Sequence, residues 1–506
     1  MKTKYGWAVA VLAMAVTVAV ALIVVLQPPV KKSAVEPVKE SVPVAQPQVD
    51  RSADAVAKIG DYVITRGQLE ERLVRAIQPR EAEYAEEIKP VTAEAILREM
   101  LAEKAMSMEG RQLGYLNDEA IHQRIEELQQ GRLAMMVQES LFPEPPSVDA
   151  AEVDRLMKER PQLSREQATS FAQRAAGMKI FEQFHSKLVE KFHLKKVQSS
   201  FAQAAQIHQR LLERPVTPRG PGEYWIRNSQ VRDELSEKDK NLVLATYDGG
   251  QYTLKDWFNV ICNMAPPRRP GDLSTPAGVE RLLDLALRAP ILVAEAKVRG
   301  YDKDEKLRAD IRQREDQELL SKLQEEKTKG VGEPAPEQVK AYFEKNQERF
   351  AQPAAVKISQ IWCENLQAAQ GLQATLDKGE DFETARKAHS IQKEEEPHNV
   401  SAIGEGLFWA ELWKADPGQM IGPMRGFYSS GVKWRIVKIL EKTPAKVQPY
   451  SEQVANSVKW AMMGEQRQRV LEDCRTELLA KYPHEIFGDK MQDMDPLEIA
   501  MSKGNK

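Results

Sequence analysis

Residue types that commonly carry out chemistry are few in this sequence and form no recognisable motif. The seven histidines are scattered, without HxxxH or HxH spacing, and the three cysteines (Cys262, Cys363 and Cys474) form no CxxC pair. No GxxxxGK or GxGxxG loop is present to cradle a phosphate. The sequence therefore gives no support for a metal, a nucleotide or another cofactor. The sequence leaves two alternatives for these cysteines: one disulfide with one free thiol, or three free thiols.

The overall composition is that of a folded chain with balanced charge. Of the 506 residues, 42% are hydrophobic and 29% are charged, and the net charge is −3. This composition excludes a wholly disordered chain, and the balance offers no general attraction to nucleic acid. A chain of this length is expected to contain about three domains.

The N-terminal segment predicts where the chain resides. The run from Trp7 to Leu26 is almost wholly apolar, and two lysines precede it. A helix of this length would span the hydrocarbon layer of a bilayer, about 30 Å. We expect residues 1–26 to be an uncleaved signal anchor, a cleaved signal being the alternative, and residues 27–55 to be a disordered stalk. The rest of the chain would then be extracytoplasmic or periplasmic, held at the cell membrane by one transmembrane helix.

A strand, turn, strand and helix pattern occurs twice in the chain. Residues 56–65 predict a hairpin that ends in a threonine suited to capping a helix, and residues 244–253 predict the same elements 188 positions later. Similarity continues around Gly114 and Gly300 at a constant offset of 186. We infer that the chain contains a duplicated unit.

The end of the repeat predicts an inserted domain. A long helix is predicted to begin near Glu166-Gln167, and a similar one near Glu452-Gln453, at an offset of 286. The difference of 100 residues between the two offsets is the size of a small domain. The second copy is therefore interpreted as the first copy with a domain inserted before its closing helix.

The repeated unit resembles the N-terminal chaperone domain of SurA, and the chain as a whole resembles SurA/PpiD/PrsA-like periplasmic folding factors. The family phrase V-A-x-V-N-G-x-x-I-T-x-x-x-L is matched by Val56, Ala57, Ile59, Gly60, Ile64, Thr65 and Leu69. The phrase E-A-x-x-x-G-L-D-K-D is matched in the second copy by Glu295, Ala296, Gly300, Tyr301, Asp302, Lys303 and Asp304.

The insert resembles a parvulin-type (PpiC/rotamase) peptidyl-prolyl isomerase domain. The family's K-x-G-x-D-F-x-x-x-A phrase is similar to Lys378–Ala385, its G-D-L-G-F-F strand to Gly404–Trp409, and its final strand to Trp434–Ile439. The resemblance implies that the site positions are Gln360, Trp362, Ser390, Phe408, Trp434 and Arg435.

Two of these positions depart from the family pattern. Parvulins place histidines where this chain has Gln360 and Arg435; glutamine has a different donor and acceptor pattern, and arginine is a fixed cation. The family's Met and Phe of the proline pocket have no clear counterpart, although Met420 or Trp413 could substitute. The acidic run Glu394–Glu396 is interpreted as a solvated loop.

These observations predict an α+β fold with an N-terminal transmembrane helix, mainly helical SurA-N-like units and an inserted parvulin-like domain. The expected divisions are 1–26 signal anchor, 27–55 stalk, 56–220 first helical unit, 221–350 second helical unit, 351–445 parvulin-like domain, and 446–506 C-terminal helix, packing back on the second unit, and tail.

The favoured function is that of a membrane-anchored extracytoplasmic chaperone or foldase. By resemblance, its partners are unfolded or extended exported and envelope proteins, with no nucleic acid, nucleotide or cofactor. The first alternative is an active peptidyl-prolyl cis-trans isomerase with an altered site. The second is a non-catalytic docking partner of an envelope or secretion complex.

Overall fold

The computed structural model of the chain describes residues 54–79, 91–216, 220, 224–429 and 431–503. The expected signal anchor and nearly all of the expected stalk lie outside these residues. Across the part that is described, none of the helices combines the length and the apolar character needed to cross a bilayer. The predicted class is confirmed, since these residues form a mostly helical α+β protein.

The described residues group into two compact units. One, the continuous unit, is formed by residues 119–315. The other, the split unit, combines residues 54–118 with residues 316–503.

The split unit begins with a hairpin, includes the insert, and ends with a long helix, a short strand and a last helix. Its main elements are β1 (Ala55–Ile59), β2 (Tyr62–Thr65), α1 (Arg66–Ile77) and α2 (Ala93–Gln112), and then, after the continuous unit, α13 (Pro336–Lys345), β6 (Ala355–Cys363), α14 (Leu366–Leu376), α15 (Phe382–His389), β7 (His398–Ser401), α16 (Ala402–Glu405), α17 (Trp409–Lys414), β8 (Met420–Tyr428), β9 (Gly431–Thr443), α18 (Glu452–Lys481), β10 (His484–Ile486) and α19 (Pro496–Lys503).

The continuous unit is mainly helical and carries the second hairpin. Its elements are α3 (Glu119–Leu141), α4 (Ala150–Glu159), α5 (Arg165–Lys191), β3 (Lys195–Lys196), α6 (Phe201–Glu213), α7 (Asn228–Glu234), α8 (Glu237–Lys240), β4 (Val243–Tyr247), β5 (Gly250–Thr253), α9 (Leu254–Asn263), α10 (Pro276–Ala286), α11 (Arg288–Val298) and the start of α12 (Glu305–Thr328).

Both predicted hairpins and the helix starts that follow them are confirmed. Thr65 caps α1 by accepting from the backbone N–H of Gln68, and Thr253 caps α9 by accepting from that of Asp256. In each case the side chain of the third helical residue also accepts a hydrogen bond from the backbone N–H of the threonine. The two bonds together form a capping box. The apolar residues that follow at helical spacing are buried, namely Leu69, Leu73, Ile77, Leu254, Trp257 and Ile261.

A third strand, remote in sequence, completes each hairpin sheet. In the split unit β10 pairs antiparallel with β1, and in the continuous unit β3 pairs with β4. The backbone N–H of Phe487 donates to the carbonyl of Val56 at 2.9 Å, and that of Val197 donates to Leu244 at 2.8 Å. The two sheets therefore have the same construction, with a strand that follows a long helix.

The insert folds around a four-stranded antiparallel sheet in the order β7-β6-β9-β8. Alternate residues of β6 and β9 point to opposite faces. On one face α14 and α15 bury Ile361 and Ile436. On the other face Ile358 and Val437 lie in a core that also includes Ala500 of α19.

One predicted strand is wrong. Residues 404–409 form the end of α16, a 3-10 turn and the start of α17 instead of the strand expected for Gly404–Trp409. The partner of β6 on this side is instead β7, which ends just before this segment. In addition, Gly406 has φ of +51°, a left-handed conformation that is foreign to strands.

Candidate functional site

A cavity of about 350 Å³ opens on the face of the insert sheet that carries Gln360, Trp362 and Arg435. These three residues share a face because β6 and β9 pair in a register that sets Trp362 opposite Arg435, with Gln360 two positions earlier on β6. All three residues are at most 5% exposed. The sheet thus brings together three of the six site residues predicted from the sequence.

The buried guanidinium of Arg435 is held by a carboxylate and an amide. Its Nη1 donates to Gln360 Oε1 at 2.8 Å and to Glu405 Oε1 at 3.2 Å, while Nη2 donates to Glu405 Oε2. The side chain of Arg435 is 1% exposed and that of Glu405 is 9% exposed. A buried cation needs such a partner, because an isolated charge in the interior is costly.

A second carboxylate, that of Glu395, reaches the same cavity from the loop between α15 and β7. It accepts from Gln360 Nε2 at 2.7 Å and from Trp362 Nε1 at 3.0 Å. Its side chain is only 16% exposed. The interpretation of Glu394–Glu396 as a uniformly solvated run is therefore wrong for the middle residue, whose carboxylate lies against the sheet.

Arg386 holds this loop in place from behind. It is 3% exposed, and its Nη1 donates to the backbone carbonyls of Lys393, at 3.2 Å, and of Glu395. Its Nε donates to Glu383, which also accepts from Ser359 Oγ at 2.7 Å. Burial opposes ionisation of Glu383, but the bonds from Ser359 and Arg386 outweigh it and leave the pKa of this carboxyl below its ordinary value.

Ser390, Phe408 and Trp434, the other three predicted site residues, do not line the cavity. Ser390 is buried beside it and accepts from the backbone N–H of Trp362 at 3.2 Å. Phe408 packs edge-on at 4.9 Å from Phe427, which does line the cavity. Trp434 packs with the core of the opposite sheet face.

Neither suggested substitute for the family's Met and Phe pair lines the cavity. Met420 packs with the core on the opposite face of the sheet. Trp413 stacks on Trp409 at 5.4 Å, beside the core that includes α19. The aromatic residues of the cavity wall are instead Trp362, Phe427 and Tyr428.

Sequence reasoning missed Glu395 and Glu405 as site residues. A signal for Glu405 was present, because an arginine at an inward position of an apolar strand requires a buried carboxylate. Nothing in a run of three acidic residues indicates which one turns inward. That choice depends on the bonds that Arg386 makes to the loop.

The described residues place neither a reactive thiol nor a metal-binding cluster at the cavity. All three cysteines are free, and burial raises the pKa of Cys363, the nearest to the cavity in sequence, to about 11, so that its thiol is not a ready nucleophile. Within the described residues, no group of three or more His, Cys, Asp and Glu side chains is placed to hold a metal ion.

Comparison with known families identifies the insert. Residues 334–454 match the family model described as a PPIC-type PPIASE domain, a range that encloses the expected 351–445. No curated protein matches the chain significantly in sequence. The parvulin-type resemblance predicted from the sequence is confirmed by the domain match.

SurA-like and PrsA proteins are among the solved structures to which the chain is similar. One of two structurally related SurA-like chaperones of Campylobacter jejuni is 15% identical, with 49% of this chain and 100% of that chain covered and a TM-score of 0.25. The peptidylprolyl isomerase PrsA of Bacillus anthracis is 20% identical, with 33% and 72% covered and a TM-score of 0.19. PrsA of Bacillus subtilis is 16% identical, with 51% and 98% covered and a TM-score of 0.17.

Proposed function

We propose that this chain, with its parvulin-type domain, is an extracytoplasmic chaperone that binds unfolded or extended segments of exported proteins. In this proposal the parvulin-like domain binds peptide but does not accelerate prolyl isomerisation appreciably. The observation that carries the proposal is the set of bonds that links Gln360 and Arg435, at the family's histidine positions, to Glu405 and Glu395.

The bonding state of these side chains argues against catalysis. Twisting an X-Pro bond has an intrinsic barrier of about 18–20 kcal/mol, and a catalyst lowers it by binding the twisted amide more tightly than the planar one. Gln360 uses its oxygen for Arg435 and its nitrogen for Glu395. Engaging the substrate amide through Gln360 would require breaking one of these two bonds to a charged group, at a cost of about 1.5–3 kcal/mol.

The cavity nevertheless has features suited to holding a peptide. Its volume is sufficient for one or two side chains, and Trp362, Phe427 and Tyr428 contribute aromatic surface. The sheet ends in β7 and β8, whose outer edges can pair with an extended chain. Shallow aromatic surface together with backbone pairing gives the weak, sequence-tolerant binding that a chaperone requires.

The continuous unit also exposes apolar side chains, on two different sides of one helix. On α5 the side chains of Met178 and Ile180 are 48% and 42% exposed. Methionine adapts to many partners because its side chain is unbranched and flexible. The three methionines of α2 are less available, since Met106 is fully buried and Met100 and Met108 pack around the same core.

The chaperone proposal predicts suppression of aggregation. The full-length protein in lipid vesicles should reduce the light scattering of a denatured envelope protein diluted from urea, whereas empty vesicles should not. Replacing Met178 and Ile180 together by serine should weaken the effect. Replacing the exposed Lys179 between them by serine is the matched control. Unchanged scattering with the wild-type protein would refute client holding and favour the docking-partner function.

Membrane attachment and duplication are also part of the proposal. Residues 1–26 would anchor the chain and residues 27–55 would be the stalk, with the remaining chain extracytoplasmic. The equal construction of the two hairpin sheets supports two SurA-N-like units that arose by duplication. After cell fractionation, the full chain should remain with membranes in alkaline carbonate, and a variant lacking residues 7–26 should not. Release of the full chain would contradict an uncleaved anchor.

A further inference from the structure

The charges of the parvulin-like cavity are unequally exposed. Three charged side chains line it, those of Arg435, Glu405 and Glu395. Arg435 and Glu405 neutralise each other at 1% and 9% exposure. Glu395, at 16% exposure, is the most accessible of the three. With His398 neutral, the cavity therefore carries one net negative charge, that of Glu395.

The hydrogen bonds to Glu395 do not cancel this charge. Its carboxylate accepts from Gln360 and Trp362, which are both neutral donors. A carboxylate can accept about four hydrogen bonds, so capacity remains for an incoming donor. Neutral donors fix the position of the carboxylate without neutralising it.

Two basic side chains, those of Lys433 and His398, lie near Tyr428 and Glu395. Lys433 approaches the ring of Tyr428 at 5.7 Å but is paired with Glu364 at 2.8 Å. His398 Nδ1 lies 3.7 Å from Glu395 and 3.2 Å from the backbone carbonyl of Glu396. Neither supplies a permanent counter-charge to Glu395.

We propose that the cavity selects client segments that carry a lysine or arginine side chain, which Glu395 receives beside Trp362 and Tyr428. This inference rests on the proposed function of the cavity as a peptide site. The rings of Trp362 and Tyr428 meet edge to face at 5.0 Å, so aromatic surface flanks the carboxylate. A cation gains a charge-assisted hydrogen bond to Glu395. The rings contribute apolar contact, since Trp362 already faces Arg435 at 5.2 Å and Tyr428 faces Lys433 at 5.7 Å. An acidic side chain would instead be repelled by Glu395.

The test is a peptide series with one variable residue. Four labelled proline-containing peptides, identical except for Lys, Arg, Gln or Glu at one position, are titrated with the full-length protein in lipid vesicles, and fluorescence anisotropy gives the affinities. The Lys and Arg peptides should bind about tenfold more tightly than the Glu peptide. Added salt should narrow this ratio because it screens the attraction.

Two variants separate local recognition from long-range attraction. Glu395→Gln should abolish the preference for the cation. Glu394→Gln removes the same charge from an exposed neighbour outside the cavity wall and should leave the preference intact. Equal melting curves for the two variants would show that the loss of the preference is not caused by a loss of folding.

The outcomes distinguish the two proposals. Binding of all four peptides with equal affinity, or a preference that survives in Glu395→Gln, overturns the selection of cations and leaves peptide binding standing. If none of the four peptides binds, the peptide-binding role of the cavity fails, and the selection fails with it.

Discussion

Arg435 can occupy the centre of the sheet because Gly426 on the neighbouring strand has no side chain. A Cβ atom at Gly426 would lie 2.6 Å from the guanidinium carbon of Arg435, closer than any real contact. The arginine fills that space and reaches Glu405. This glycine is therefore as much a part of the site as the charged residues are.

Gly426→Ala is predicted to displace Arg435 and weaken its pair with Glu405. The expected loss of unfolding free energy is about 2–4 kcal/mol, by analogy with overpacked cores and broken buried pairs. Chemical denaturation of the full-length protein measures it. Gly371→Ala is the control, since a Cβ there meets open space within α14 and should be neutral or stabilising. Equal denaturation midpoints would show that Arg435 does not depend on the glycine.

At the scale of residues, the sequence predicted which strand residues meet at the cavity better than it predicted the carboxylates they bond to. Gln360, Trp362 and Arg435 could be located because the order of motifs around them resembles a known domain, and they do meet at one cavity. Glu395 could not be located, because its inward position depends on bonds between a buried arginine and backbone carbonyls. Such bonds leave no periodic signal in a loop.

At the scale of elements, the short closing strands have a structural role out of proportion to their length. β10 pairs with β1 over three residues, with Ile486 opposite Ala57 and His484 opposite Ile59. The helix before it, α18, contributes Cys474 and Leu478 to the core beneath the same hairpin. The C-terminal segment thus completes a sheet that begins more than 400 residues earlier.

Two truncations should distinguish the structural role of β10 from that of α19, the helix that follows it. Removing residues 482–506 should expose the edge of β1 and accelerate hydrogen exchange of residues 55–59. Removing only residues 496–506 should leave that protection and instead uncover Ile77, which shares a core with Ala500. Exchange measured by mass spectrometry distinguishes the two cases. Equal protection of residues 55–59 in all three proteins would contradict the pairing.

The hairpins and their helix caps were predictable, and the closing strands were not. A glycine turn between β-forming residues, followed by threonine, is a local signal that needs no knowledge of the fold. Strands of two or three residues, such as Lys195–Lys196, have no detectable alternation. The strand expected for Gly404–Trp409 was wrong because β7, directly before it, takes the place beside β6.

At the scale of the whole molecule, the sequence indicated an α+β chain with an inserted parvulin-like domain, and both features are confirmed. It did not indicate how the chain would divide into compact units. One unit is continuous over residues 119–315, whereas the other joins residues 54–118 to residues 316–503. That division follows from long-range pairing such as β10 with β1, which local patterns do not encode. The expected boundaries of the two helical units remain predictions.

We propose that the molecule as a whole holds unfolded chains while its parvulin-like site does not catalyse isomerisation. The most direct measurement is exchange NMR of a lysine-containing X-Pro peptide with and without the full-length protein. Uncatalysed exchange takes tens to hundreds of seconds. We predict that peptide resonances shift on binding while the cis-trans exchange rate stays at its uncatalysed value. Faster exchange that is lost in Arg435→Met or Trp362→Ala would contradict the claim and establish an active isomerase without the two histidines.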